Sequence, residues 1–396
     1  MRNISRKVFL AAPVRTPIGK FGGALSSLSA PELGAIAAKE CIKRAGISSN
    51  EIDEVIFGHA RQAGAGPNPA RQIAYKSGCP ETVPAYTVNK ACASGMKAIV
   101  NAYQAIALGD ADMILAGGTE SMSNTPYLLS NARWGYRLGH AEVVDGMYRD
   151  GFLCPLCGEV MGETAENLAV KYNISRQESD DYALMSQQRC AEAQKQNRFV
   201  DEIVPIEIES KGKKNVVSSD EHPKPDTTVE ALAKLKPVFR EVGTVTAGNA
   251  SGITDGAAAL LVVSEERVAD LKSGPVAKII DYTVAGVDPA LMGIGPVPSI
   301  RNLLERNKLS LRDIDLIELN EAFAVQVLAC HRELNFDFSK LNVNGGAIAL
   351  GHPIGCTGTR ITVTLLHEMM KRDVTLGLAT LCVSGGMGMT LLLERA

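Results

Sequence analysis

The sequence has little net charge and no long apolar run. Its 396 residues include 41 Lys and Arg against 44 Asp and Glu, which leaves a formal net charge of −3. Such a balance excludes the extended basic surface that binds nucleic acids or anionic membranes. No window approaches the roughly 18 apolar residues of a membrane-spanning helix. Any anion that the protein binds is therefore small and held by a few local groups.

The nine cysteines lack the regular spacing of a secreted disulfide scaffold, and their number is odd. This usage predicts reduced thiols in a cytoplasmic protein. The apolar run Val8–Val14 follows basic residues, but it is short for the core of a signal peptide and no cleavage site follows it. We therefore expect it to begin a strand.

Aromatic residues are scarce, at 5% of the chain with a single tryptophan, whereas glycine is abundant at 37 residues. Glycine is needed where the backbone must approach a ligand or other backbone closely. The apolar share of 45% and the charged share of 21% are ordinary for a globular enzyme. At about 150 residues per domain, the length predicts two or three structural units.

Short β-rich runs alternate with amphipathic helical patterns, which predicts an α/β fold. The stretch Ala45–Phe57 recurs in the second half as Asn307–Leu319, with Asp53 matching Asp315, and a glycine-rich turn, a helix and a strand follow each copy. We interpret the chain as two related halves; the alternative is a chance similarity of two βα units. The predicted strands are Val8–Ala12, Glu54–Gly58, Met113–Gly118, Asp315–Leu319, Gly377–Cys382 and Met389–Leu393, and the predicted helices include Ala93–Leu108 and Thr359–Lys371.

The pattern changes between the two halves. Ser175 and Glu178 form a capping box that begins a helix ending near Asn197, and a polar stretch broken by prolines follows. We interpret this region as an inserted loop domain, since long ordered insertions are often functional. The predicted units are an N-terminal half at 1–118, the loop domain at 119–243, a return to the N-terminal half at 244–272 and a C-terminal half at 273–396.

Cys92 lies between the apolar run Tyr86–Val88 and a helical pattern, among small residues. A thiol at a helix N-terminus feels the positive end of the helix dipole, which favours the nucleophilic thiolate. The small neighbours leave room for an acyl group. The alternative is a buried inert cysteine, since free cysteines are commonly buried.

Three further candidates follow from glycine-rich or strand-end positions. His352 lies among five glycines between Asn344 and Gly358, which suits an imidazole brought close to a ligand; a structural histidine is the alternative. Cys382 ends a predicted strand before a glycine-rich turn, where α/β folds place active sites. Asn320 follows another strand in the same way, either to orient a water or a carbonyl or as an ordinary turn residue.

Together these four segments resemble the thiolase family. The resemblance covers nearly the whole chain, from Ala11–Pro17 through Ala116–Met122 and Gly243–Gly252 to the C-terminal strand. It implies the thiolase fold, in which two related βαβαβαββ halves form a five-layered αβαβα core and an inserted loop domain covers coenzyme A. The two halves inferred from the repeat agree with this implication.

The resemblance also implies a role for each candidate residue. Cys92 would take the acyl group as a thioester, and His352 would accept its proton. Cys382 would remove a proton from a second acetyl-CoA. Asn320 would hold a water that helps His352 to stabilise the enolate oxygen. The N–H groups of Cys92 and Ser384 would form the oxyanion hole.

The activity that the resemblance implies is the condensation of two acetyl-CoA to acetoacetyl-CoA and CoA, together with the reverse thiolysis, by a ping-pong route. Coenzyme A thioesters are substrates in this reaction, so no cofactor and no metal are expected. Lys224 lies where family members often have an arginine for the nucleotide phosphates, and Ser251 would meet the pantetheine arm. The other residues expected to bind coenzyme A are Met161, Leu235, Phe239, Ala247 and Phe323.

The sequence departs from the family pattern at two positions. Members that form acetoacetyl-CoA often carry a histidine where this chain has Val160, which keeps open a broader-chain 3-ketoacyl-CoA thiolase of fatty-acid β-oxidation. Ser384 replaces the first glycine of the C-terminal Cys-x-Gly-Gly-Gly motif, but its N–H remains. We interpret Cys154 and Cys157 as incidental, since a zinc site would need a second pair of ligands and a redox dithiol has no further support.

Two other classes of protein agree less well with these residues. A condensing enzyme of the ketoacyl-synthase type would not need Cys382, and a non-catalytic acyl-CoA-binding or lipid-binding relative would be expected to lack Cys92 or His352. Family members are dimers or dimers of dimers, so a homodimer or homotetramer is expected. The segment Asn131–Gly139, which includes Trp134, is a candidate subunit contact or pocket wall.

Overall fold

A ten-stranded mixed sheet runs through the molecule. The computed structural model describes residues 6–210, 213–272, 274 and 276–396. The strands are β1 (Val8–Arg15), β2 (Gly19–Lys20), β3 (Glu54–Gly58), β4 (Ala85–Val88), β5 (Met113–Ser121), β6 (Tyr127–Leu128), β7 (Val144–Asp145), β8 (Ile206–Ser210), β9 (Lys213–Val217), β10 (Thr254–Ser264), β11 (Ala277–Gly286), β12 (Leu316–Leu319), β13 (Leu376–Val383) and β14 (Met387–Arg395). The α-helices are α1 (Ala30–Ala45), α2 (Pro69–Lys76), α3 (Ser94–Leu108), α4 (Met161–Lys171), α5 (Arg176–Lys195), α6 (Val229–Ala233), α7 (Pro296–Asn307), α8 (Ala324–Leu334), α9 (Ala347–Leu350) and α10 (Ile354–Arg372).

The sheet consists of two arms with the same internal order. Its strand order is β12-β13-β14-β11-β1-β10-β5-β3-β4, with β2 beside β10. In one arm β3 is parallel to β5, which pairs antiparallel with β10, and β10 pairs antiparallel with β1. In the other arm β12, β13, β14 and β11 repeat this sequence of pairings. The prediction of two related halves is therefore confirmed.

The repeated aspartates have the same structural role in the two arms. The Asp53 carboxylate accepts hydrogen bonds at 2.7 and 2.9 Å from two consecutive N–H groups where β5 begins. The Asp315 carboxylate accepts two such bonds, at 3.0 and 2.8 Å, where β13 begins. Each carboxylate thus satisfies backbone donors that lie outside the ladder at the start of a strand. This shared role explains why the sequence repeat includes an aspartate at this position.

Helices cover both faces of each arm. Apolar side chains of α1 and α2 pack on the outer face of the arm that contains β5 and β10, and those of α7 and α8 pack on the outer face of the arm that contains β13 and β14. Between the arms lie α3 and α10, which pack against each other and against both arms. This order confirms the predicted five-layered αβαβα core. Of the helices in the described part of the chain, none is both long and apolar enough to span a membrane.

The predicted strands and helices occur with small shifts at their ends, and one boundary is wrong. The last long helix, α10, begins at Ile354 rather than at Thr359. Pro353 precedes it as the N-cap, a place where the missing N–H of proline costs no helical hydrogen bond. As a result, Gly355 and Gly358 lie inside a helix and not in a loop. The strands β10 and β11, at the centre of the sheet, are not among those that the sequence predicts.

Close backbone contacts hold the N-terminal turns of α3 and α10 together. A Cβ atom on Gly358 would overlap the backbone nitrogen of Met96 in α3. A Cβ atom on Gly118, in β5, would overlap the carbonyl oxygen of Gly355 and lie 2.9 Å from the Cα atom of Cys356. Only glycine allows approaches as close as these. The segments that precede α3 and α10 are therefore placed side by side.

The inserted region is fixed to the sheet by a buried ion-pair cluster. Arg15, in β1, is fully buried and donates from Nη1 and Nη2 to Asp220 at 2.6 and 2.9 Å, and from Nε to Glu202 at 2.6 Å. A bidentate geometry of this kind offsets the cost of burying the charges. The domain boundaries predicted above stay a prediction, and residues 1–5 and 273, which they include, lie outside the described residues.

We predict that Gly118→Ala destabilises the protein by about 1–3 kcal/mol, because the added methyl group must displace the backbone of α10. Urea unfolding followed by circular dichroism measures this change. The matched control is Gly286→Ala at the end of β11, where the nearest atom to the new Cβ lies at 3.9 Å, so its stability should change little. Equal stabilities of the two variants would contradict the packing argument.

Candidate active site

A cavity of about 370 Å³ lies where the segments before α3 and α10 meet the turn between β13 and β14. Its walls are mostly apolar. The structure thus brings together residues from segments far apart in the sequence. The predicted residues that line the cavity are Cys92, His352, Cys382, Ser384, Met161, Phe239, Ser251 and Phe323.

Cys92 occupies a turn between β4 and α3. The preceding Ala91 has a φ of 46°, a left-handed conformation that is uncommon for alanine. The Ser94 hydroxyl fixes this turn, since it accepts from the Lys90 N–H at 2.8 Å and donates to the Ala91 carbonyl at 2.7 Å. The thiol is thereby held beside the N-terminus of α3, as the sequence predicts.

The Cys92 thiol is the neutral form in the resting site. Burial raises its pKa above the ordinary value for cysteine, although the N–H of Ser384 and the Arg61 guanidinium act in the opposite direction. The N–H of Ser384 therefore faces the sulfur. A neutral thiol of this kind needs a nearby base to become a nucleophile.

His352 presents an unprotonated nitrogen to the cavity. Its Nδ1 lies 2.6 Å from the hydroxyl oxygen of Thr357, and that hydroxyl donates to the carbonyl oxygen of Pro353 at 3.0 Å. Because a carbonyl only accepts, the hydroxyl proton goes to Pro353 and the Nδ1–H of His352 donates to Thr357. The Nε2 lone pair then has no partner among the described residues.

Burial, with the charges of Arg360 and Arg61, lowers the pKa of His352 to about 3. The imidazole is therefore neutral at physiological pH. A neutral imidazole with a free Nε2 lone pair is suited to accept a thiol proton.

Cys382 lies one residue before the end of β13 and is fully buried. Burial raises the pKa of its thiol well above the ordinary value, and the Cys92 sulfur adds to this effect. The positive φ values of Gly385 and Gly386 form the turn that follows, at 85° and 81°. Two thiols and one imidazole thus face the same cavity.

Asn320 follows β12 and is fully buried but does not line the cavity wall. Its N–H donates to the carbonyl of Thr380 at 3.0 Å. Both polar atoms of its side chain lack a hydrogen-bond partner within the described residues. Unpaired buried amide groups are costly, so this pair of atoms indicates a place for a water or a ligand group.

The residues predicted to bind coenzyme A divide into two groups. Met161, Phe239, Ser251 and Phe323 line the cavity. The N–H of Ser251 donates to the carbonyl of Ala322 at 3.0 Å, which joins the segment before β10 to the loop after β12. The other three predicted residues are exposed and do not line the cavity, so their roles stay predictions; they are Lys224, Leu235 and Ala247.

Sequence reasoning missed the buried carboxylate that orders the loops behind the cavity. Glu120, at the end of β5, accepts N–H bonds from Ala60, Arg61 and Gly355 at 3.2, 3.1 and 2.8 Å, and pairs with His59 at 2.9 Å. Burial raises its pKa, but the His59 charge and the hydrogen bonds outweigh this and lower it. The motif Ala116–Met122 contains this glutamate, but the partners of its carboxylate lie far away in the sequence, so the motif alone does not indicate them.

The remaining sequence candidates have different outcomes. Val160 lines the cavity, whereas Trp134 is 86% exposed and does not, so the structure does not make it a pocket wall. Cys154 and Cys157 are free thiols, and within the described ranges no group of three or more His, Cys, Asp or Glu residues is arranged to hold a metal.

We predict that the rate of Cys92 alkylation by iodoacetamide rises with pH and has its inflection above the ordinary cysteine value of about 8.5, because burial raises the pKa of this thiol. Mass spectrometry of tryptic peptides identifies the labelled cysteine, and Cys92→Ser is the control. An inflection below pH 7 would show a thiolate–imidazolium pair and contradict the neutral pair described above.

Comparison with known proteins gives relatives of the whole chain. The family model described as thiolase, N-terminal domain, matches residues 8–266, and the model described as thiolase, C-terminal domain, matches residues 273–395. The acetyl-CoA acetyltransferase of Escherichia coli (strain K12) is 54% identical over 387 residues, which are 98% of this chain and 98% of that protein.

Solved structures are equally similar over the full length. The acetyl-CoA acetyltransferase of Bacillus anthracis superposes with a TM-score of 0.96 at 48% identity and covers 100% of both chains. The human mitochondrial 3-ketoacyl-CoA thiolase in complex with CoA superposes with a TM-score of 0.94 at 44% identity and covers 99% of each chain. With both halves matched and the cavity built from the motifs around Cys92, His352 and Cys382, the chain belongs to the thiolase family.

Proposed function

We propose that the chain is an acetyl-CoA acetyltransferase, which condenses two acetyl-CoA to acetoacetyl-CoA and CoA and catalyses the reverse thiolysis. The observation that carries this proposal is one cavity that contains two thiols and a neutral imidazole with a free Nε2. The relatives named acetyl-CoA acetyltransferase, at about half identity over the whole chain, support it.

In the first half-reaction, the Cys92 thiol gives its proton to Nε2 of His352 while the sulfur attacks the acetyl carbonyl. The N–H groups of Cys92 and Ser384 stabilise the oxyanion of the tetrahedral intermediate. The intermediate collapses to the thioester, and the CoA thiolate leaves with the proton of Cys382. The acyl-enzyme then holds an imidazolium and a Cys382 thiolate, which together are neutral.

In the second half-reaction, the Cys382 thiolate removes a proton from C2 of another acetyl-CoA. A thiolate with a raised pKa is a strong base, which matches the weak acidity of this carbon. The His352 imidazolium and a water held by Asn320 stabilise the enolate oxygen. The enolate attacks the thioester, and Cys92 leaves as a thiolate that recovers its proton from His352.

The substrates proposed here need no cofactor and no metal, since both half-reactions use side-chain protons only. We also propose a cytoplasmic location, because the nine cysteines are free thiols, as expected in a reducing compartment. A homodimer or homotetramer is part of the proposal. It is supported by large apolar side chains exposed in the segment around β6, namely Tyr127, Leu129, Trp134, Leu138 and Val143.

We predict that Cys92→Ala abolishes acyl-enzyme formation with labelled acetyl-CoA, whereas Cys382→Ala still forms the labelled thioester but fails to condense it. The reason is that only Cys92 bonds to the acyl group. Intact-protein mass spectrometry detects the acetyl adduct, and an acetoacetyl-CoA assay detects condensation. Cys41→Ala, which replaces a fully buried cysteine of α1, is a matched control that should retain both activities. Loss of labelling in Cys382→Ala would reverse the assigned roles.

The alternative activity is a 3-ketoacyl-CoA thiolase with a broader chain-length range. Val160, an apolar residue in the cavity wall, supports this alternative. The relatives named acetyl-CoA acetyltransferase give stronger support to the short-chain activity. We predict faster thiolysis of four-carbon than of ten-carbon 3-ketoacyl-CoA, measured as kcat/KM by the loss of the 3-ketothioester absorbance. Equal or faster turnover of the longer substrate would favour the alternative.

A further inference from the structure

One arginine lines the cavity and forms no ion pair among the described residues. Arg61 follows β3, is 7% exposed and borders the same space as Cys92 and His352. Its Nε atom has no hydrogen-bond partner, and no ion pair to its guanidinium occurs among the described residues. None of the catalytic steps above uses this side chain.

The surroundings of Arg61 fit its guanidinium but form no direct ion pair with it. The carbon of the guanidinium lies 5.8 Å from the centre of the Phe152 ring. A Cβ atom on the adjacent Gly151 would overlap the guanidinium, so any larger residue there would displace it. A cation beside an aromatic ring gains some energy, but far less than a buried charge loses by leaving water.

The two nearby carboxylates are engaged elsewhere. Glu120 pairs with His59 and accepts N–H bonds, one of them from the backbone of Arg61 itself. Asp150 accepts two bonds from the Arg149 guanidinium, at 2.7 and 2.8 Å. The Arg61 charge lowers the pKa of both carboxylates, but neither forms an ion pair with its guanidinium among the described residues. The guanidinium therefore borders the cavity with hydrogen-bond donors that these carboxylates do not take up.

Arg61 also lies close to the reacting sulfur. Its charge acts on the pKa of both Cys92 and His352. The side chains of Phe152, Ile354 and Met147 pack around Cys92 in the same area, whereas Ser251 and Phe239, expected to contact coenzyme A, come from other segments. The part of the cavity next to Cys92 is therefore bordered by apolar side chains and one guanidinium.

We propose that Arg61 binds a carboxylate at the far end of the acyl chain, so that the enzyme acts on 3-oxoacyl-CoA thioesters derived from dicarboxylic acids. A guanidinium presents a planar pair of donors that matches a carboxylate. This inference rests on the proposed thiolase activity and adds a second substrate class to acetoacetyl-CoA. An uncharged acyl chain would leave the guanidinium unpaired, and a carboxylate would satisfy it.

Such a substrate would be cleaved by the reverse reaction, thiolysis with CoA, and no additional reagent is needed. The Cys92 sulfur bonds to C3, the C2–C3 bond breaks, and its electron pair at C2 takes the proton of Cys382 to release acetyl-CoA. The thiol of free CoA then attacks the thioester on Cys92. A carboxyacyl-CoA leaves, and the thiol proton of CoA restores the enzyme.

The test compares two six-carbon substrates that differ only in the terminal group, 3-oxohexanedioyl-CoA and 3-oxohexanoyl-CoA, with acetoacetyl-CoA as reference. We expect kcat/KM of the wild type for the diacid to exceed that for the uncharged chain by about 10- to 100-fold, the range of a hydrogen-bonded charge pair. In Arg61→Met this ratio should fall below one, and in Arg61→Lys it should be intermediate. The control, Arg312→Met, removes an exposed arginine far from the cavity lining and should keep the wild-type ratio.

Each outcome is informative. A wild-type ratio of one or less overturns the inference without any variant, so a failure of Arg61→Met to fold does not prevent the test. An equal loss of activity on all three substrates in Arg61→Met would show that Arg61 acts on the Cys92 thiol and not on a carboxylate. A wild type that cleaves none of the three substrates would instead overturn the proposed thiolase activity.

Discussion

The close approach of the first turns of α3 and α10 is the constraint on which the site depends. Gly118 and Gly358 remove the side chains that would separate β5, α3 and α10. Cys92, the proposed nucleophile, precedes α3, and His352, the proposed base, precedes α10, so backbone contact between the helices sets the distance between these two side chains. Packing at this density transmits small displacements, which makes the geometry sensitive to a single methyl group.

The buried glutamate behind the cavity completes this arrangement. Glu120 binds the N–H groups of the loop after β3 and of Gly355 at the start of α10. It therefore fixes the segments that carry Arg61 and His352 relative to β5. Satisfied networks of this kind are rigid, because removing one partner leaves the others unpaired in a medium of low dielectric constant.

The same low dielectric constant explains the protonation states of the site. Burial favours the neutral forms of the Cys92 thiol, the Cys382 thiol and the His352 imidazole. Charge separates only during reaction, when the oxyanion hole and the imidazolium are positioned to stabilise it. Thr357 contributes by holding the Nδ1–H of His352, which leaves Nε2 as the acceptor. Arg61 is the exception, since arginine remains charged even when it is buried.

Much of the fold and of the site can be predicted from the sequence. Short β-rich runs locate five strands to within two residues of their observed starts at Val8, Glu54, Met113, Leu376 and Met387. The repeat that includes Asp53 and Asp315 predicts two arms. Strand-end and glycine-rich positions indicate Cys92, His352 and Cys382 as candidates. The long strand β10 is missed because its first half contains a glycine and three alanines, which have low β-propensity. The start of α10 is misplaced because glycines there serve packing rather than a turn.

The sequence by itself determined the α/β class and the duplication and indicated the candidate reactive residues, because periodicity, repeats and local motifs are properties of neighbouring positions. Only the tertiary structure decided which tautomer His352 adopts, which thiols are neutral and which charge faces the cavity. These properties depend on burial and on partners from distant segments, as with Glu120 and Gly355 or Arg61 and Gly151. No local pattern records such contacts, since they exist only when the chain is folded.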